Sequence, residues 1–471
     1  MNKKTKTADR LRSAVFIRKG IALLLLSAMI LLMMSGCTAQ QEESAPVITE
    51  TPSSEAQSVQ DETAAQTESE QEQGETSSSD EEPSGSSEEE TSGEQTLEPA
   101  ENAVVYGYAL FGADPYEGPG LAAITPEQEA VIRTMIDEMS IEEKVGQMFL
   151  ARFPGAKEDG PESSAAAEED VQTYHLGGFV LFGPDFKVKS ETVIQDKLDA
   201  VQAASTIPLL LSVDEEGGNV NRVSTSFRDT PFLAPRNAYD WAGEATLLSE
   251  IHERCELLGS LRLNMNLYPV CDISDNPADF IYNRAFSGDP DTAADYVAEV
   301  VTVMKDYSMA CSLKHFPGYG NNADTHTDLV VDERPAETFY EADFKPFMAG
   351  IAQGAETVMV SHNIVKCFDE ENPASISPEI HRILREELGF EGVILTDDLG
   401  MEGVKKYSDE DVAVMAVLAG NDMLISSDYK LQYEAVLAAV QDGRISEERL
   451  DESVYRILRM KMSMGLLIYV E

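Results

Sequence analysis

Eight short apolar runs, most of which stop at a polar or reactive residue, set the strongest limit on how this chain can fold. Apolar runs that continue rather than alternate are typical of parallel strands that are buried on both faces. Stretches with helical periodicity lie between most of the runs, including residues 192–204, 292–307, 377–388 and 409–419. The apolar runs themselves occupy residues 145–152, 178–182, 208–213, 265–270, 311–313, 357–360, 392–396 and 422–425.

Strands that alternate with helices in this way predict an α/β fold, a (β/α)8 or TIM barrel. The region from 101 to 471 has a length typical of that fold with insertions. A doubly wound open sheet is the alternative, but no glycine-rich dinucleotide-binding turn follows the first run. We therefore predict a single barrel domain over residues 101–471.

The seventh run ends in a paired acid, Asp397-Asp398, which by itself is typical of a helix cap. Other runs, however, also end in reactive side chains, and the carboxyl ends of barrel strands share one face where ligands bind. This coincidence favours a functional site at the mouth of the barrel. The side chains concerned are Asp214, Asp272, Lys314, His315, His362 and Asp397.

The loop after the fifth run carries a second candidate group. Proline and glycine at 317–320 take the chain out of its strand, and Asp324 and His326 follow at positions i and i+2. On an extended loop these two side chains share one side. A carboxylate beside an imidazole makes a proton shuttle usable near neutral pH. A solvated surface loop and a zinc site built from His315, His326, His362 and Asp324 are the alternatives.

The segment before the barrel has two parts. A basic stretch, an apolar run over 21–34 and small residues before Cys37 resemble a bacterial lipoprotein signal over 1–36 with Cys37 as the lipidated residue. An ordinary secretory signal is the alternative. Residues 37–100 are rich in Ser, Glu, Gln and Thr, so we predict a disordered acidic tether. We therefore expect an extracytoplasmic protein that a lipid anchors to the bacterial cell membrane.

The formal net charge of −50 disfavours nucleic acid and anionic lipid surfaces as partners. Four cysteines follow Cys37 without a C-x-x-C pair, so we expect buried thiols and no disulfide framework. His175, His252 and His381 have no motif around them and are expected at the surface. The cysteines are Cys255, Cys271, Cys311 and Cys367.

Several motifs together resemble glycoside hydrolase family 3, and more narrowly its single-domain β-N-acetylglucosaminidase branch. The D-x-H loop and the Asp-Leu that follows Asp397 favour this branch over the β-glucosidases, as does the lack of a second domain after the barrel. The resemblance covers roughly residues 130–465. The motifs are K-H-F-P-G-Y-G-N-N-A-D-T-H at 314–326, V-D-E-E-G-G-N-V-N-R at 213–222, N-L-Y-P-V-C-D at 266–272, N-R-A-F at 283–286, M-V-S-H at 359–362 and T-D-D-L-G-M at 396–401.

The resemblance implies a retaining exo-acting glycosidase without cofactor or metal. Asp397 would be the nucleophile, His326 the acid/base and Asp324 its partner, while Asp398 would cap a helix or bond the loop. Terminal β-linked N-acetylglucosamine of muropeptide or chitin-type glycans would be the substrate. The positions that match the family's sugar-binding residues are Asp214, Arg222, Arg284, Lys314 and His315, and His362 is a further candidate.

The loop departs from the family pattern at Tyr319, which stands where a histidine is usual, and in a spacer before Asp324 that is one residue short. Tyr319 either stacks in the site or packs against the barrel rim. A β-glucosidase or β-xylosidase, a phosphorolytic enzyme and a surface lipoprotein that binds glycan without cleaving it are the alternative functions.

Overall fold

Parallel strands and helices alternate through residues 114–154, 163–325, 329–404, 406 and 409–468, the part of the chain that the computed structural model describes. The predicted signal peptide, the tether, Cys37 and His326 lie outside these residues. The strands in chain order are β1 (Phe149–Arg152), β2 (Gly178–Leu181), β3 (Leu210–Val213), β4 (Met265–Asn266), β5 (Ala310–Phe316), β6 (Val331–Asp332), β7 (Thr357–Val360), β8 (Ile364–Val365), β9 (Val393–Thr396) and β10 (Leu424–Ser426).

Eight of these strands form one parallel sheet in the order β10-β1-β2-β3-β4-β5-β7-β9. The two outer strands meet through a parallel bridge between Leu395 and Met423, and the Thr396 amide donates to the Met423 carbonyl at 3.2 Å. The sheet is thereby closed into the predicted (β/α)8 barrel. The short strands β6 and β8 pair separately.

Helices cover the outside of the barrel because each presents an apolar stripe to the strands. Within the described residues no helix is both long enough and apolar enough to span a bilayer. The longer α-helices are Pro126–Glu138, Ile141–Gln147, Ala165–Tyr174, Glu191–Ala204, Pro235–Ala242, Glu244–Ser260, Pro290–Asp306, Phe344–Ala352, Asp409–Ala419, Tyr429–Gln441 and Glu447–Ser463. Shorter helical segments are Gly183–Phe186, Ser224–Phe227, Ala336–Thr338, Phe339–Asp343, Ala374–Ile376, Pro378–Arg382, Ile383–Glu387 and Glu402–Val404.

Three predicted elements differ from the structure, and one of them, the fourth run over 265–270, is strand only at Met265–Asn266. The first apolar run was expected to be strand from 145, but Ser140 and Glu143 form a capping box that starts the helix Ile141–Gln147, and the strand begins at Phe149. The predicted helix over 377–388 consists of the α-helix Pro378–Arg382 followed by a π-helical turn, Ile383–Glu387.

The surface assignments of two histidines were wrong. His252 and His381 are buried, because each lies on the inner side of a helix. His252 Nδ1 bonds to the Tyr307 hydroxyl at 3.1 Å, and His381 Nδ1 bonds to the Ser377 carbonyl at 2.8 Å. Cys367 was expected to be buried with the other cysteines but is exposed, in the turn that follows β8.

Candidate active site

The barrel brings the predicted side chains together at the carboxyl ends of its strands. They surround a cavity of about 230 Å³. Asp214 follows β3, Lys314 and His315 lie within the long strand β5, and Asp397 follows β9. The predicted residues that line the cavity are Asp214, Arg222, Arg284, Lys314, His315 and Asp397.

A buried lysine joins two acids on one wall of this cavity. Lys314 is 1% exposed, and its Nζ lies 2.6 Å from Asp214 Oδ1 and 2.6 Å from Glu216 Oε1. Burial alone would lower the pKa of Lys314, but Asp214 and Glu216 raise it above its ordinary value. The lysine is therefore held charged, with its side chain fixed by two carboxylates.

Glu216 also holds the arginine of the predicted sugar site. Arg284 donates to both Glu216 oxygens, at 2.8 and 2.9 Å, in a bidentate pair. Burial favours a raised pKa for Glu216, but the charges of Arg284 and Lys314 outweigh it and lower the pKa below its ordinary value. Glu216 is thus the shared anion that keeps two buried cations in place.

His315 is oriented by Asp272. Its Nδ1 lies 2.7 Å from Asp272 Oδ2, and its Nε2 lies 3.1 Å from an Arg284 nitrogen. An arginine can only donate, so Nε2 accepts, and Nδ1 carries the hydrogen that it donates to Asp272. Asp272 also accepts the backbone amides of His315 at 3.1 Å and Tyr319 at 2.7 Å. One carboxylate therefore orients the imidazole and holds the start of the following loop.

The two acids of the Asp397-Asp398 pair have different contacts. Asp398 accepts the amides of Gly400 at 2.9 Å and Ser427 at 3.0 Å, and it also accepts the Ser427 hydroxyl. Asp398 thus bonds the loop and ties the end of β9 to the end of β10. The Asp397 amide donates to the Val360 carbonyl at 3.0 Å, which fixes its backbone beside β7 while its side chain lines the cavity.

The loop after β5 is anchored by the buried side chain of Tyr319. Its ring lies edge-on to His315 at 5.2 Å, and its hydroxyl bonds to the Thr325 hydroxyl. Tyr319 therefore packs at the barrel rim, one of the two predicted alternatives, and it does not line the cavity. Asp324 is partly exposed in the irregular stretch just before Thr325.

Arg334 clamps the base of the same loop from outside the cavity. It donates to the Gly318 carbonyl at 3.0 Å, to both Asp343 oxygens at 3.0 Å and to Asp332 at 2.8 Å. A side chain at Gly320 would collide with it, because a Cβ there would lie 2.4 Å from the Arg334 guanidinium carbon. Gly320 thus leaves room for the guanidinium, and its φ of 53° lies in the left-handed region that favours glycine.

His362 lies behind the cavity wall. It is fully buried, and its ring nitrogens lie 2.7 Å from the Ser375 hydroxyl and 3.0 Å from the Asp398 carbonyl. The structure therefore places it as a support for the Asp397-Asp398 turn rather than beside the other predicted sugar ligands. Within the described residues no group of three or more potential metal ligands lies together, and His326 of the zinc alternative is outside these residues.

A larger cavity of about 920 Å³ lies elsewhere, between the helices Pro126–Glu138 and Glu447–Ser463. It contains none of the predicted site residues. Arginines of this cavity form ion pairs with nearby acids. Arg459 pairs with Glu391 at 3.7 Å, and Arg456 pairs with Asp422 at 3.0 Å. The volume of a cavity therefore does not identify the active site here. The convergence of reactive side chains on the smaller cavity does.

The profile described as "Glycosyl hydrolase family 3 N terminal domain" matches residues 140–460. This chain belongs to glycosyl hydrolase family 3. The predicted resemblance is thereby confirmed, and with it the assignment as a glycoside hydrolase.

Similar proteins agree with the family. A protein of Stenotrophomonas maltophilia (strain K279a) named beta-hexosaminidase is 37% identical over 299 residues, which are 62% of this chain and 88% of that protein. The structure of a family 3 beta-N-acetylglucosaminidase from Paenibacillus sp. str. FPU-7 matches at 32% identity and a TM-score of 0.64, over 71% of this chain and 65% of that one. A beta-N-acetylhexosaminidase from Beutenbergia cavernae DSM 12333 matches at 27% identity and a TM-score of 0.60, over 70% and 99%.

Two polar residues of this family 3 site, Glu216 and Arg152, were not among the predicted side chains, whereas Asp272 was in the set predicted at the mouth of the barrel. Glu216 was part of a motif that resembles the family, so its sequence position could have marked it. Arg152 at the end of β1 also lines the cavity. It follows a strand like the other site residues, but the predicted reactive set did not include it.

Proposed function

We propose that this family 3 protein is a retaining exo-β-N-acetylglucosaminidase that removes terminal β-linked N-acetylglucosamine from muropeptide or chitin-type glycans. The observation that carries the proposal is the position of Asp397, whose carboxylate side chain lines the same cavity as the Asp214–Lys314–Glu216–Arg284 network. Beta-hexosaminidase is also the name of the similar Stenotrophomonas protein, and this supports the hexosaminidase assignment.

In this proposal Asp397 attacks the anomeric carbon while the acid/base gives a proton to the departing oxygen. A glycosyl-aspartate forms, and a water molecule that loses its proton to the same base then attacks the anomeric carbon. Two displacements at one carbon retain its configuration. His326 is the proposed acid/base and Asp324 its orienting partner, both on the loop that Tyr319 and Arg334 anchor.

The charged wall binds the sugar before and during the attack. Asp214 is partly exposed beside Lys314, so its carboxylate can accept hydroxyl protons, and Arg222 and Arg284 donate to hydroxyl oxygens. The buried ion pairs keep Asp214 and Arg284 in position without reorganisation, as transition-state stabilisation requires. The cavity is below the roughly 300–1,000 Å³ that drug-sized ligands occupy, which fits one terminal sugar and hence exo-action.

The test compares 4-nitrophenyl β-N-acetylglucosaminide, β-glucoside and β-xyloside. We expect a clear preference for the N-acetylglucosaminide, with Asp397→Ala abolishing turnover and Asp196→Ala, an exposed acid on the helix Glu191–Ala204, leaving it unchanged. Preference for the glucoside or xyloside would support the sister activities instead. Sugar 1-phosphate formed on addition of phosphate would indicate phosphorolysis, and no turnover of any glycoside would support a glycan-binding lipoprotein.

We also propose that a lipid on Cys37 anchors the enzyme at the outer side of the bacterial cell membrane. The sequence before Cys37 supports this, and the anchor would keep the enzyme close to cell-wall glycans. Cys37→Ala should move the protein from the membrane fraction to the soluble fraction without changing kcat on an aryl glycoside. An unchanged distribution would contradict the anchor.

A further inference from the structure

A second cavity of about 230 Å³ opens next to the one that holds Asp397. Arg152 lines both cavities, so its side chain stands on their shared wall. A second contact also joins the two cavities. Ser427, which lines the second cavity, donates its amide and its hydroxyl to Asp398, which lines the first. A glycan whose terminal sugar fills the first cavity can therefore extend into the second.

The cation on the shared wall differs from the two buried, paired cations of the first cavity. Lys314 and Arg284 are held by carboxylates, whereas Arg152, like Arg222, forms no ion pair within the described residues. The Arg152 guanidinium stacks on the Phe182 ring, whose centroid lies 4.3 Å from the guanidinium carbon. Stacking on one face of a guanidinium leaves its edges able to donate to a ligand.

Within the described residues, none of the other charged side chains of the second cavity forms an ion pair with Arg152. Lys430 pairs with Asp170 at 3.0 Å, and Asp170 also accepts the Tyr429 hydroxyl. Among the described residues, the cavity is lined by one acid, Asp428, and by the basic residues Arg152 and Lys430. A chain with a formal charge of −50 has thus kept a cationic position next to its reactive carboxylate. A planar guanidinium in this setting suits a carboxylate, which it can bind in a bidentate manner.

We propose that the second cavity receives the leaving group and that Arg152 recognises a carboxylate on it, so that acidic amino sugars such as N-acetylmuramic acid are preferred over neutral ones. The proposal rests on the proposed function and deepens it, because it separates muropeptide-type from chitin-type substrates. Arg152 acts here as a specificity residue, and the reaction at Asp397 is the same for both classes.

Two disaccharides that differ mainly in the lactyl ether carrying the carboxylate test this: N-acetylglucosaminyl-β-1,4-N-acetylmuramic acid and N,N′-diacetylchitobiose. We expect Arg152→Gln to lower kcat/KM for the acidic disaccharide by about 10- to 100-fold, as the loss of a charged hydrogen-bonded pair should. The neutral disaccharide should change less than about threefold. The methyl ester of the lactyl group should behave as the neutral substrate does.

Arg133→Gln is the matched control, since Arg133 is exposed on the helix Pro126–Glu138 at a distance from both cavities. Should Arg152→Gln fail to fold by circular dichroism, Arg152→Lys serves, because it keeps the charge but loses the bidentate geometry and should lose part of the preference. Equal losses on both disaccharides, or no loss on either, would overturn the inference while the glycosidase assignment stands. Failure of the wild-type enzyme on both disaccharides and on aryl N-acetylglucosaminides would instead overturn the proposed function.

Discussion

Lys461 is a fully buried lysine at the amino ends of the barrel strands, opposite the cavity. Its ammonium donates to Gln147 Oε1 at 2.8 Å and to the Gly177 carbonyl at 2.9 Å, and both partners are neutral. Burial lowers the pKa of Lys461 from 10.5 to about 7. The folded state therefore binds this proton more weakly than the unfolded state does, and the charged form destabilises the fold.

The size of the effect follows from the two pKa values. At pH 6.5 the unfolded state is fully protonated and the folded state roughly three-quarters protonated, and the cost to folding is about 4–5 kcal/mol, at about 1.4 kcal/mol for each pH unit between the pKa values. At pH 9.5 the folded state has lost the proton and the cost has dropped to roughly 1.5 kcal/mol. Stability from this group thus rises with pH between about 7 and 10.5, by about 3 kcal/mol from pH 6.5 to 9.5.

Urea unfolding of the wild type and of Lys461→Met at pH 6.5, 8 and 9.5 measures this directly. The free energy of unfolding should increase with pH by about 3 kcal/mol more in the wild type than in the variant. Subtracting the two proteins removes the titration of all other groups. Lys187→Met, at an exposed lysine, should show the wild-type dependence. Equal pH dependence in the wild type and Lys461→Met would refute the reasoning.

Three further substitutions test the wall and the loop of the active-site cavity. Glu216→Gln removes the anion shared by two buried cations, so the free energy of unfolding in urea should fall by about 3–5 kcal/mol. An unchanged free energy of unfolding would contradict the buried network. Arg334→Lys loses the bidentate pair with Asp332 and loosens the loop of the proposed acid/base, so kcat/KM should fall about tenfold more for alkyl than for 2,4-dinitrophenyl N-acetylglucosaminides; an equal fall would mean that Arg334 serves stability alone. Tyr319→Phe leaves the buried Thr325 hydroxyl without its partner and should cost about 1–3 kcal/mol of stability with KM unchanged; a raised KM would place Tyr319 in sugar binding.

The fold could be predicted from the sequence because the strands are buried on both faces. Such strands leave apolar runs with sharp ends, and the run at 357–360 is strand β7 residue for residue. The first strand was predicted to begin too early, because the apolar Val145 belongs to the helix Ile141–Gln147. A local capping box starts that helix. Hydrophobicity cannot distinguish a short buried helix from a strand, whereas the cap can.

The candidate site was predictable where reactive residues follow strands, since barrel geometry brings those ends together. What the sequence could not provide is the pairing between side chains. Glu216 is one of three consecutive acids, and only the folded chain shows that it is the one that joins Lys314 and Arg284. His362 follows an apolar run as His315 does, but His315 lies within strand β5, whereas His362 comes after β7 and faces Ser375 behind the wall, because the direction of a side chain after a strand depends on the turn.

The central claim is that Asp397 forms the covalent intermediate, and a 5-fluoro-N-acetylglucosaminyl fluoride tests it most directly. Fluorine at C5 slows breakdown of the glycosyl-enzyme, so the label accumulates and the modified peptide can be mapped by mass spectrometry. The account predicts one sugar per protein molecule on Asp397, and none in Asp397→Ala. A label on Asp398 or on any other residue, or turnover of the reagent without a trapped intermediate in the wild type, would contradict it.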